Sequence, residues 1–376
     1  MRLAIVRQKY TPYGGAERFV ERALAALAAR GVELTLVTRR WPRDAAARVT
    51  PLIVDPPYVG RTWRDASFAR GVCRAVDAMP GTLVQSHERI ACCDVYRAGD
   101  GVHAVWVEER LRDAPALARP AIAASPYHRY MLAAERRLYA SPRLQRVICI
   151  SRMVQDEIHE RFGVPRERLP VIYNAIDPAV FHPGLSMHRT HLRAQWRIPD
   201  DACVFLLVGS AYARKGVGRA LQALARVPAP AHLLVVGRDR HPARYAALAQ
   251  RLGVAQRVTF AGAQQDPKPF YGAADAFVLP TTYDALSNAV LEALACGLPV
   301  VTSDRCGAGE LVREHRAGAV CGARDIDAIA AAMHGLLDAQ ARMRAAAGAL
   351  AAMRPLTPEA MSARLVALYD ELLPPR

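Results

Sequence analysis

The chain lacks the long apolar runs that mark membrane proteins. None of its 376 residues belongs to an uninterrupted apolar stretch approaching the roughly 18 residues of a spanning helix. The first apolar run of the chain, Leu3–Val6, is too short for a secretory signal peptide. Low-complexity tracts and internal repeats are also missing. With 52% hydrophobic residues, the sequence therefore predicts an ordered, cytoplasmic protein large enough for two domains.

The eight cysteines lack any C-x-x-C spacing. A zinc ribbon or a disulfide framework normally requires paired, regularly spaced cysteines. We therefore expect reduced and buried thiols.

Lysine is scarce although the chain is strongly basic, with a formal net charge of +15. The three lysines are Lys9, Lys215 and Lys268, so arginine carries nearly all of the positive charge. A basic chain can favour nucleic acid, anionic lipid or phosphorylated substrates. The basic residues do not alternate with aromatic ones and no recognition module is present, so no nucleic-acid partner is expected. A functional basic face and simple solubility both remain open.

The first half of the sequence predicts a parallel, helix-covered sheet. A buried strand at Leu3–Val6 precedes a helical pattern with Phe19 and Leu27 on one face. A second strand follows at Leu34–Thr38. Short apolar runs then recur at Leu52–Val54, Leu83–Val84 and Val147–Ile150.

A second alternating series follows a polar, proline-punctuated stretch at 163–199, which we interpret as a linker containing a strand and turn at Val171–Pro178. The predicted strands of this series are Val204–Gly209, Leu233–Gly237, Val258–Phe260, Ala276–Leu279 and Pro299–Thr302. The last helix, about Pro358–Leu373, could cross back to the first domain. The fold class is therefore α/β, with two doubly wound domains that bind ligands at the carboxyl ends of their strands.

Two loops follow predicted strands and suit an anionic ligand. Gly14 and Gly15 lie between the first strand and its helix, where free N–H groups attract anions, but an ordinary tight turn is equally compatible. They do not form a G-x-G-x-x-G dinucleotide motif. Arg214 and Lys215 follow the strand that ends at Gly209, and phosphate binding is favoured there over a solvated charge pair.

A third loop carries two carboxylates around a predicted helix start near Ser287 or Asn288. Asp284 precedes the helix and Glu292 lies about one turn inside it. The backbone N–H groups of Leu286, Ser287 and Asn288 could hold a pyrophosphate between them. From the spacing alone, the favoured interpretation is that Asp284 caps the helix locally and that Glu292 is an acid on the helix surface.

This third stretch resembles the signature of the retaining glycosyltransferases of the GT-B fold. In that family two acids are separated by seven residues, as Asp284 and Glu292 are, and the second lies in an L-E-A-x-A-x-G-x-P-V-V pattern, as Leu291–Val301 does. Further matches to the bacterial lipopolysaccharide core glucosyltransferase I group cover nearly the whole chain: Lys9-Tyr-x-Pro-Tyr-Gly-Gly15, Asp94-Val-Tyr96 with Asp100, Arg214-Lys-Gly216 and Val235-Val-Gly237.

The resemblance implies a GT-B architecture, with two Rossmann-like domains facing across a central cleft. Residues 1–175, with a C-terminal helix at about 358–376, would form the acceptor side, and 176–357 would bind the nucleotide sugar. It implies donor contacts from Gly14, Gly15, Gly209, Leu286, Ser287 and Asn288, from the Arg214–Lys215 pair on the diphosphate, and from Glu292 on the ribose. Asp284 replaces the commoner glutamate and reaches less far towards the donor sugar. Asp100 would lie near the reacting carbon, with His87 and His103 as acceptor-side candidates.

The expected reaction is retaining transfer of a hexose, with glucose from UDP-glucose as the favoured donor, to a lipopolysaccharide core or related surface glycan. No cofactor and no metal are expected, because cations and a helix N-terminus can stabilise the leaving diphosphate. The sole D-x-D, Asp325–Asp327, resembles a helix cap instead. Another nucleotide sugar with a capsule or glycan acceptor remains an alternative. So do a sugar-nucleotide epimerase and a non-catalytic nucleotide-binding module.

The segment from Trp106 to Arg146 mixes large apolar side chains with many arginines. Such a stretch can lie on an anionic membrane surface, and a partly buried helix pair is equally compatible. The resemblance to enzymes with a lipid-linked acceptor favours peripheral contact with the inner face of the cytoplasmic membrane.

Overall fold

The computed structural model describes residues 2–8, 32–40 and 50–372. The chain divides into two compact units, one of residues 1–174 with 358–376 and the other of residues 175–357. This division lies one residue from the predicted boundary between 175 and 176. The predicted helix around Phe19 and the loop with Gly14 and Gly15 lie outside the described residues.

Each unit contains, within its described residues, a six-stranded parallel sheet. The orders are β3-β2-β1-β4-β5-β6 and β12-β11-β10-β7-β8-β9. The strands are β1 Arg2–Val6, β2 Glu33–Thr38, β3 Thr50–Ile53, β4 Thr82–Ser86, β5 Val95–Ala98, β6 Arg146–Cys149, β7 Cys203–Val208, β8 Ala231–Val236, β9 Val258–Gly262, β10 Ala276–Leu279, β11 Val300–Ser303 and β12 Gly318–Cys321. Both orders are those of a Rossmann-type sheet. They reverse between β1 and β4 in the first unit and between β7 and β10 in the second.

Helices connect the strands of both sheets. They are α1 Gly60–Asp77, α2 His103–Asp113, α3 Arg119–Ala123, α4 Pro126–Tyr139, α5 Arg152–Phe162, α6 Arg189–Gln195, α7 Tyr212–Lys215, α8 Val217–Leu224, α9 Pro242–Arg251, α10 Lys268–Ala273, α11 Asn288–Ala295, α12 Gly309–Glu314, α13 Ile326–Gly335, α14 Ala339–Met353 and α15 Pro358–Leu372. None of the helices in the described ranges is both long and apolar enough to cross a bilayer.

The last helix, α15, belongs to the first unit although it follows the second in sequence. It buries Met361, Leu365 and Tyr369, and the hydroxyl of Tyr369 donates a hydrogen bond to Gln85 Oε1 in β4 at 2.6 Å. The predicted return of this helix is confirmed.

The predicted strands agree with the structure except in the linker and at two short strands. At Val171 there is only a single bridge, to Cys149. Part of the predicted polar linker is helix α6 of the second unit. Strands β5 and β12 were missed, because Arg97 interrupts the apolar run of β5 and β12 begins with a glycine. In β12 none of the four side chains is fully buried, so it carries a weak hydrophobic signal.

One cysteine pair differs from the expectation of thiols alone. Cys73 in α1 and Cys92, in the loop after β4, form a disulfide with their Cα atoms 5.6 Å apart. They are 19 residues apart in sequence, without the close spacing that marks a disulfide framework, and the turn from α1 into β4 brings them together. The prediction was wrong for this pair. The other six cysteines are free thiols, and five of them are buried.

Candidate active site

The predicted cation pair and the predicted carboxylate come together where the strand order of the second unit reverses. Strands β7 and β10 are neighbours in the sheet. Lys215 ends the short helix that follows β7, and Asp284 lies in the loop that follows β10. Ligands of open α/β sheets bind at this position.

The core of this cluster is an ion pair between Lys215 and Asp284. Lys215 Nζ donates to Asp284 Oδ2 at 2.5 Å, and Arg214 Nη1 lies 3.5 Å from the same oxygen. The side chains of Lys215 and Asp284 are 11% and 13% exposed, whereas that of Arg214 is 37% exposed. Two cations and one carboxylate leave one net positive charge, and Arg214 presents it to solvent.

Glycines make room for the buried lysine. A Cβ atom at Gly209 would lie 2.9 Å from Lys215 Cγ, so a side chain there would displace the lysine stem. Gly216 has φ +78°, and a Cβ there would lie 2.0 Å from the carbonyl oxygen of Pro280. The glycines on both sides of Arg214 and Lys215 therefore fix the course of this loop against β10.

Asp284 is held by its backbone as well as by its side chain. Its N–H donates to Arg305 O at 2.8 Å, and its own carbonyl accepts from Gly307 N–H at 2.9 Å. Its Oδ1 accepts the N–H of Ser287 at 2.9 Å. The prediction that the Ser287 N–H is free to hold a pyrophosphate is therefore wrong. Asp284 is a local cap and a cation partner at once, because its two oxygens point to different groups.

The neighbouring residues of this loop lie at the start of α11. Leu286 is buried, and Asn288 is the first residue of the helix. The helix begins at the predicted position. Contacts of Leu286 and Asn288 with a donor remain predictions, as does a donor role for Gly209.

Glu292 is a half-buried acid on α11. The hydroxyl of Tyr271 donates to Glu292 Oε2 at 2.6 Å. Burial and the nearby Glu292 carboxylate raise the pKa of Tyr271 well above its ordinary value, so this phenol stays a donor. Glu292 is therefore not simply a surface acid. Its predicted contact with a ribose stays a prediction.

Asp325 confirms the cap predicted for the D-x-D sequence. Its side chain accepts the N–H of Ala328 at 2.9 Å at the start of α13. The second acid, Asp327, pairs with Arg226 Nη1 at 2.6 Å.

In the first unit, Asp100 lies in an exposed turn after β5. Glu88 lies nearby, in the loop after β4. The pKa of its carboxyl is raised by burial and then by the negative charges of Asp100 and Asp65. Glu88 also accepts the N–H of Gln8 at 2.9 Å, across the β1–β4 reversal. Sequence reasoning missed Glu88, although its place directly after a buried strand was a usable signal.

His103 begins α2 and is part of a hydrogen-bonded histidine pair. Arg110 can only donate, so His128 Nε2 accepts from it at 3.1 Å and His128 Nδ1 carries the proton. That proton is donated to His103 Nε2 at 3.0 Å, which assigns the proton of His103 to Nδ1. Burial, followed by the charge of Arg89, lowers the pKa of His103 to about 3. His103 is therefore a neutral imidazole at neutral pH.

A buried ion pair fixes the start of the same helix. Glu135, whose side chain is 1% exposed, lies 3.2 Å from Arg89 Nε. It also accepts the N–H groups of His103 at 2.8 Å and Ala104 at 3.1 Å. Sequence reasoning missed Glu135 and Arg89, because they are 46 residues apart and no motif links them.

His87 follows β4, and its hydrogen bonds join it to residues of the sheet. Gln85 Nε2 donates to His87 Nε2 at 3.2 Å. The orientation of the Gln85 amide is fixed, because its Oε1 accepts a hydrogen bond from the Tyr369 hydroxyl. Burial, followed by the charges of Arg97 and Arg7, lowers the pKa of His87 well below its ordinary value. Its acceptor-side role remains a prediction.

Comparisons with known proteins bear directly on this arrangement. Two family models match: "Glycosyltransferase Family 4" over residues 13–180 and "Glycosyl transferases group 1" over residues 202–339. The lipopolysaccharide glucosyltransferase WaaG of Escherichia coli K12 is 27% identical over 325 residues, which is 85% of each chain. A crystal structure of WaaG, a glycosyltransferase involved in lipopolysaccharide biosynthesis, is similar with a TM-score of 0.78 at 25% identity, over 96% of this chain and 98% of that one. Together these matches show a GT-B glycosyltransferase that resembles WaaG.

Two further relatives span different shares of the glycosyltransferase described here. The lipopolysaccharide core biosynthesis glycosyltransferase LpsE of Rhizobium meliloti is 35% identical over 141 residues, 38% of this chain and 41% of LpsE. A D-inositol 3-phosphate glycosyltransferase of Mycobacterium avium is 28% identical over 374 residues, 92% of this chain and 85% of that protein. The predicted GT-B fold class, with two Rossmann-like domains, is confirmed, and the enzyme is related to WaaG and LpsE of lipopolysaccharide core biosynthesis.

Proposed function

We propose that this glycosyltransferase moves a hexose, with glucose from UDP-glucose as the leading donor, to a lipopolysaccharide core or related cell-surface glycan. The transfer retains the configuration of the sugar and uses no metal. The observation that carries the proposal is the buried Lys215, which lies at the β7–β10 reversal beside the exposed Arg214.

The charges of this cluster suit a nucleoside diphosphate. Lys215 offers a compact point charge and Arg214 a planar fork that matches phosphate oxygens. Asp284 neutralises one of the two charges and holds Lys215 in place before a ligand arrives. A preformed arrangement of this kind avoids the cost of reorganising charges during the reaction.

In the proposed reaction the bond between donor C1 and the diphosphate oxygen breaks, and negative charge develops on the leaving group. Arg214 and Lys215 stabilise that charge. The acceptor hydroxyl oxygen bonds to C1 on the face that the diphosphate leaves, and its proton passes to a diphosphate oxygen. Arg214 and Lys215 stabilise the negative charge of the leaving diphosphate, which a metal ion would otherwise stabilise. This supports a metal-independent reaction.

The acceptor is assigned to the first unit by likeness and by chemistry. WaaG is named a lipopolysaccharide glucosyltransferase and LpsE a lipopolysaccharide core biosynthesis glycosyltransferase, and both are similar to this chain. Asp100 is exposed at the carboxyl edge of the first sheet, and Glu88 lies within reach of its charge. Carboxylates accept hydrogen bonds from sugar hydroxyls, so Asp100 is the leading contact to the acceptor.

A peripheral membrane contact is part of the proposal. Met131, Leu138 and Tyr139 of α4 are buried in the first unit, so this part of the segment is packed. Leu117, by contrast, is 97% exposed on a single helical turn at Ala116–Ala118. An exposed leucine among arginines suits the interface of an anionic bilayer. This assignment places the enzyme in the cytoplasm, at the inner face of the membrane.

The test is a transfer assay with labelled nucleotide sugars. UDP-glucose, UDP-galactose and GDP-mannose are incubated with core oligosaccharide, with and without a chelator, and the anomer of the product is determined by NMR. Chelator-resistant transfer with retained configuration supports the proposal. Isomerised donor without acceptor would instead indicate an epimerase. Nucleotide binding with no turnover, unchanged in folded Asp284→Ala and Glu292→Ala variants, would indicate a binding module.

A further inference from the structure

His87 differs from the histidine pair of α2 and α4 in how its ring is used. Its Nε2 accepts a hydrogen bond from Gln85 Nε2 at 3.2 Å, so the proton of the neutral ring lies on Nδ1. No acceptor for that Nδ1–H is found among the described residues. In His128, by contrast, Arg110 and His103 engage both ring nitrogens. The His87 ring is therefore held on one side only.

Tyr369 of α15 fixes which end of the Gln85 amide faces this ring. The Tyr369 hydroxyl lies 2.6 Å from Gln85 Oε1, a separation typical of an O–H···O bond rather than of an N–H···O bond. The amide nitrogen then points to His87, and it can only donate. Tyr369 and Gln85 are 2% and 3% exposed, so water does not compete for these two bonds. The tautomer of His87 is thus set from the return helix.

The position of His87 suits a contact with a sugar. The residue follows β4, and its N–H donates to Val6 O at the end of β1 at 3.0 Å. The ring therefore lies at the strand-order reversal of the first sheet, where open sheets bind ligands. Burial, followed by the charges of Arg97 and Arg7, lowers the pKa of His87 well below its ordinary value. A neutral N–H donor suits a sugar hydroxyl, whose oxygen accepts hydrogen bonds.

We propose that Tyr369 and Gln85 are positioning residues, which hold the His87 Nδ1–H towards a hydroxyl oxygen of the acceptor. This inference rests on the proposed function and deepens its acceptor side. Tyr369 acts through Gln85, and Gln85 acts through the His87 ring, so each bond depends on the one before it. The return helix α15 then serves acceptor binding as well as packing.

The first test determines the tautomer by NMR. Long-range proton–nitrogen spectra of enzyme labelled at the histidine nitrogens distinguish a protonated Nδ1 from a protonated Nε2, and His87→Gln identifies the signal. We expect the wild type to carry the proton on Nδ1 at neutral pH. Tyr369→Phe frees the Gln85 amide to turn, so protonated Nε2 should appear. Tyr139→Phe is the matched control, because it removes a buried hydroxyl that has no partner in the described part of the chain, and it should leave the signal unchanged.

The second test measures transfer to core oligosaccharide. Misplacement of one neutral hydrogen bond should raise the KM for this acceptor roughly three- to ten-fold in Tyr369→Phe, with kcat and the affinity for UDP unchanged. Gln85→Met loses both bonds at similar volume and should have the same effect. In a His87→Ala background, Tyr369→Phe should not change the KM further. A purely structural tyrosine would lower the Tm and leave the tautomer and the KM as they are.

The outcomes separate this inference from the proposed function. A wild-type ring protonated on Nε2, or an unchanged tautomer or acceptor KM in Tyr369→Phe, overturns the inference and leaves the proposed function standing. So does an equal rise of the KM in the His87→Ala background, which would show that Tyr369 acts by another route. A wild-type enzyme that transfers no hexose to core oligosaccharide overturns both.

Discussion

One buried ion pair in each unit stands in a different relation to its sheet. In the second unit, Lys215 and Asp284 pair at the strand-order reversal, and Arg214 adds an exposed cation to them. In the first unit, the buried pair of Arg89 and Glu135 holds the N-terminus of α2. The same interaction therefore lies at the candidate ligand site in one unit and fixes the start of a helix in the other.

The groups left at the carboxyl edges differ accordingly. The second unit presents a net positive cluster suited to an anionic ligand. In the first unit this edge carries the exposed carboxylate of Asp100, and beside it lies the buried, neutral His103, whose pKa is lowered to about 3 by burial. Neutral and acidic groups suit hydroxyl-bearing ligands such as sugars. This contrast supports the proposed assignment of donor and acceptor to different units.

Removal of the structural ion pair should have the largest effect on stability. Glu135→Ala leaves Arg89 buried without its carboxylate and the α2 N–H groups without an acceptor. We expect a loss of about 3–5 kcal/mol in the free energy of unfolding, measured by urea denaturation. UDP affinity at temperatures where the variant is folded should be unchanged. Glu108→Ala, which breaks an exposed pair with Arg161, should cost less than about 1 kcal/mol, and equal losses in both variants would contradict the distinction.

Removal of the site lysine should act on catalysis instead. Lys215→Ala removes the buried cation that stabilises the leaving diphosphate, so kcat/KM for transfer should fall by roughly 10²–10³-fold. Lys268→Ala is the matched control, because that lysine lies on α10 with an exposed partner, Asp266. Steady-state kinetics of both variants, which measure kcat/KM, test this expectation. Comparable activity of Lys215→Ala and Lys268→Ala would remove the catalytic role.

Substitution of the paired carboxylate should have a smaller effect. Asp284→Asn keeps an oxygen for the Ser287 N–H but removes the charge that holds Lys215, so the lysine is present and less well positioned. We expect kcat/KM to fall by roughly ten-fold, with the fold intact by circular dichroism. A fall larger than that of Lys215→Ala would show that Asp284 contacts the reacting groups directly.

The pH dependence of stability should reveal the neutral histidine of the first unit. His103 has a folded-state pKa of about 3, below the ordinary value near 6.5. The unfolded chain therefore binds the extra proton first, and stability is lost as the pH falls from about 6.5 towards 3, by up to about 1.4 kcal/mol per pH unit. Urea denaturation of wild type and His103→Gln across this range tests it. A variant with the same slope as the wild type would exclude His103 as the source.

The smallest effect is expected at the exposed leucine. Leu117→Asp should reduce pelleting with anionic liposomes at low salt a few-fold, since it removes apolar area and adds a negative charge that the bilayer repels. Met343→Asp changes a similarly exposed apolar side chain of the second unit and should leave pelleting unchanged. Transfer to a water-soluble acceptor should be equal in both. A wild-type enzyme that does not pellet at low salt would end the membrane proposal.

The sequence predicted most of the fold because buried parallel strands carry continuous apolar runs. All six side chains of β8 are buried, and the run is visible in the sequence. By contrast, β12 is a four-residue edge strand that begins with glycine, and only its pairing with β11 makes it a strand. The disulfide between Cys73 and Cys92 was unpredictable for a similar reason, since the return of α1 against the sheet creates the proximity.

The residues of the candidate site could be predicted from the sequence, whereas several of their hydrogen bonds and ion pairs could not. Arg214, Lys215 and Asp284 were selected from their loops, and the structure places them in one cluster. The use of the Ser287 N–H by Asp284 depends on a left-handed backbone conformation that the residue type does not suggest. The pairing of Arg89 with Glu135 depends on tertiary packing alone.

In the proposed mechanism the second unit binds a nucleoside diphosphate through Lys215. Thermal unfolding with UDP, GDP, ADP and NAD, each with and without a chelator, tests it most directly when wild type and Lys215→Ala are compared. We expect UDP to raise the Tm of the wild type equally with and without chelator, and this shift to disappear in Lys215→Ala. No shift with any nucleotide, or a shift that persists unchanged in Lys215→Ala, would contradict it.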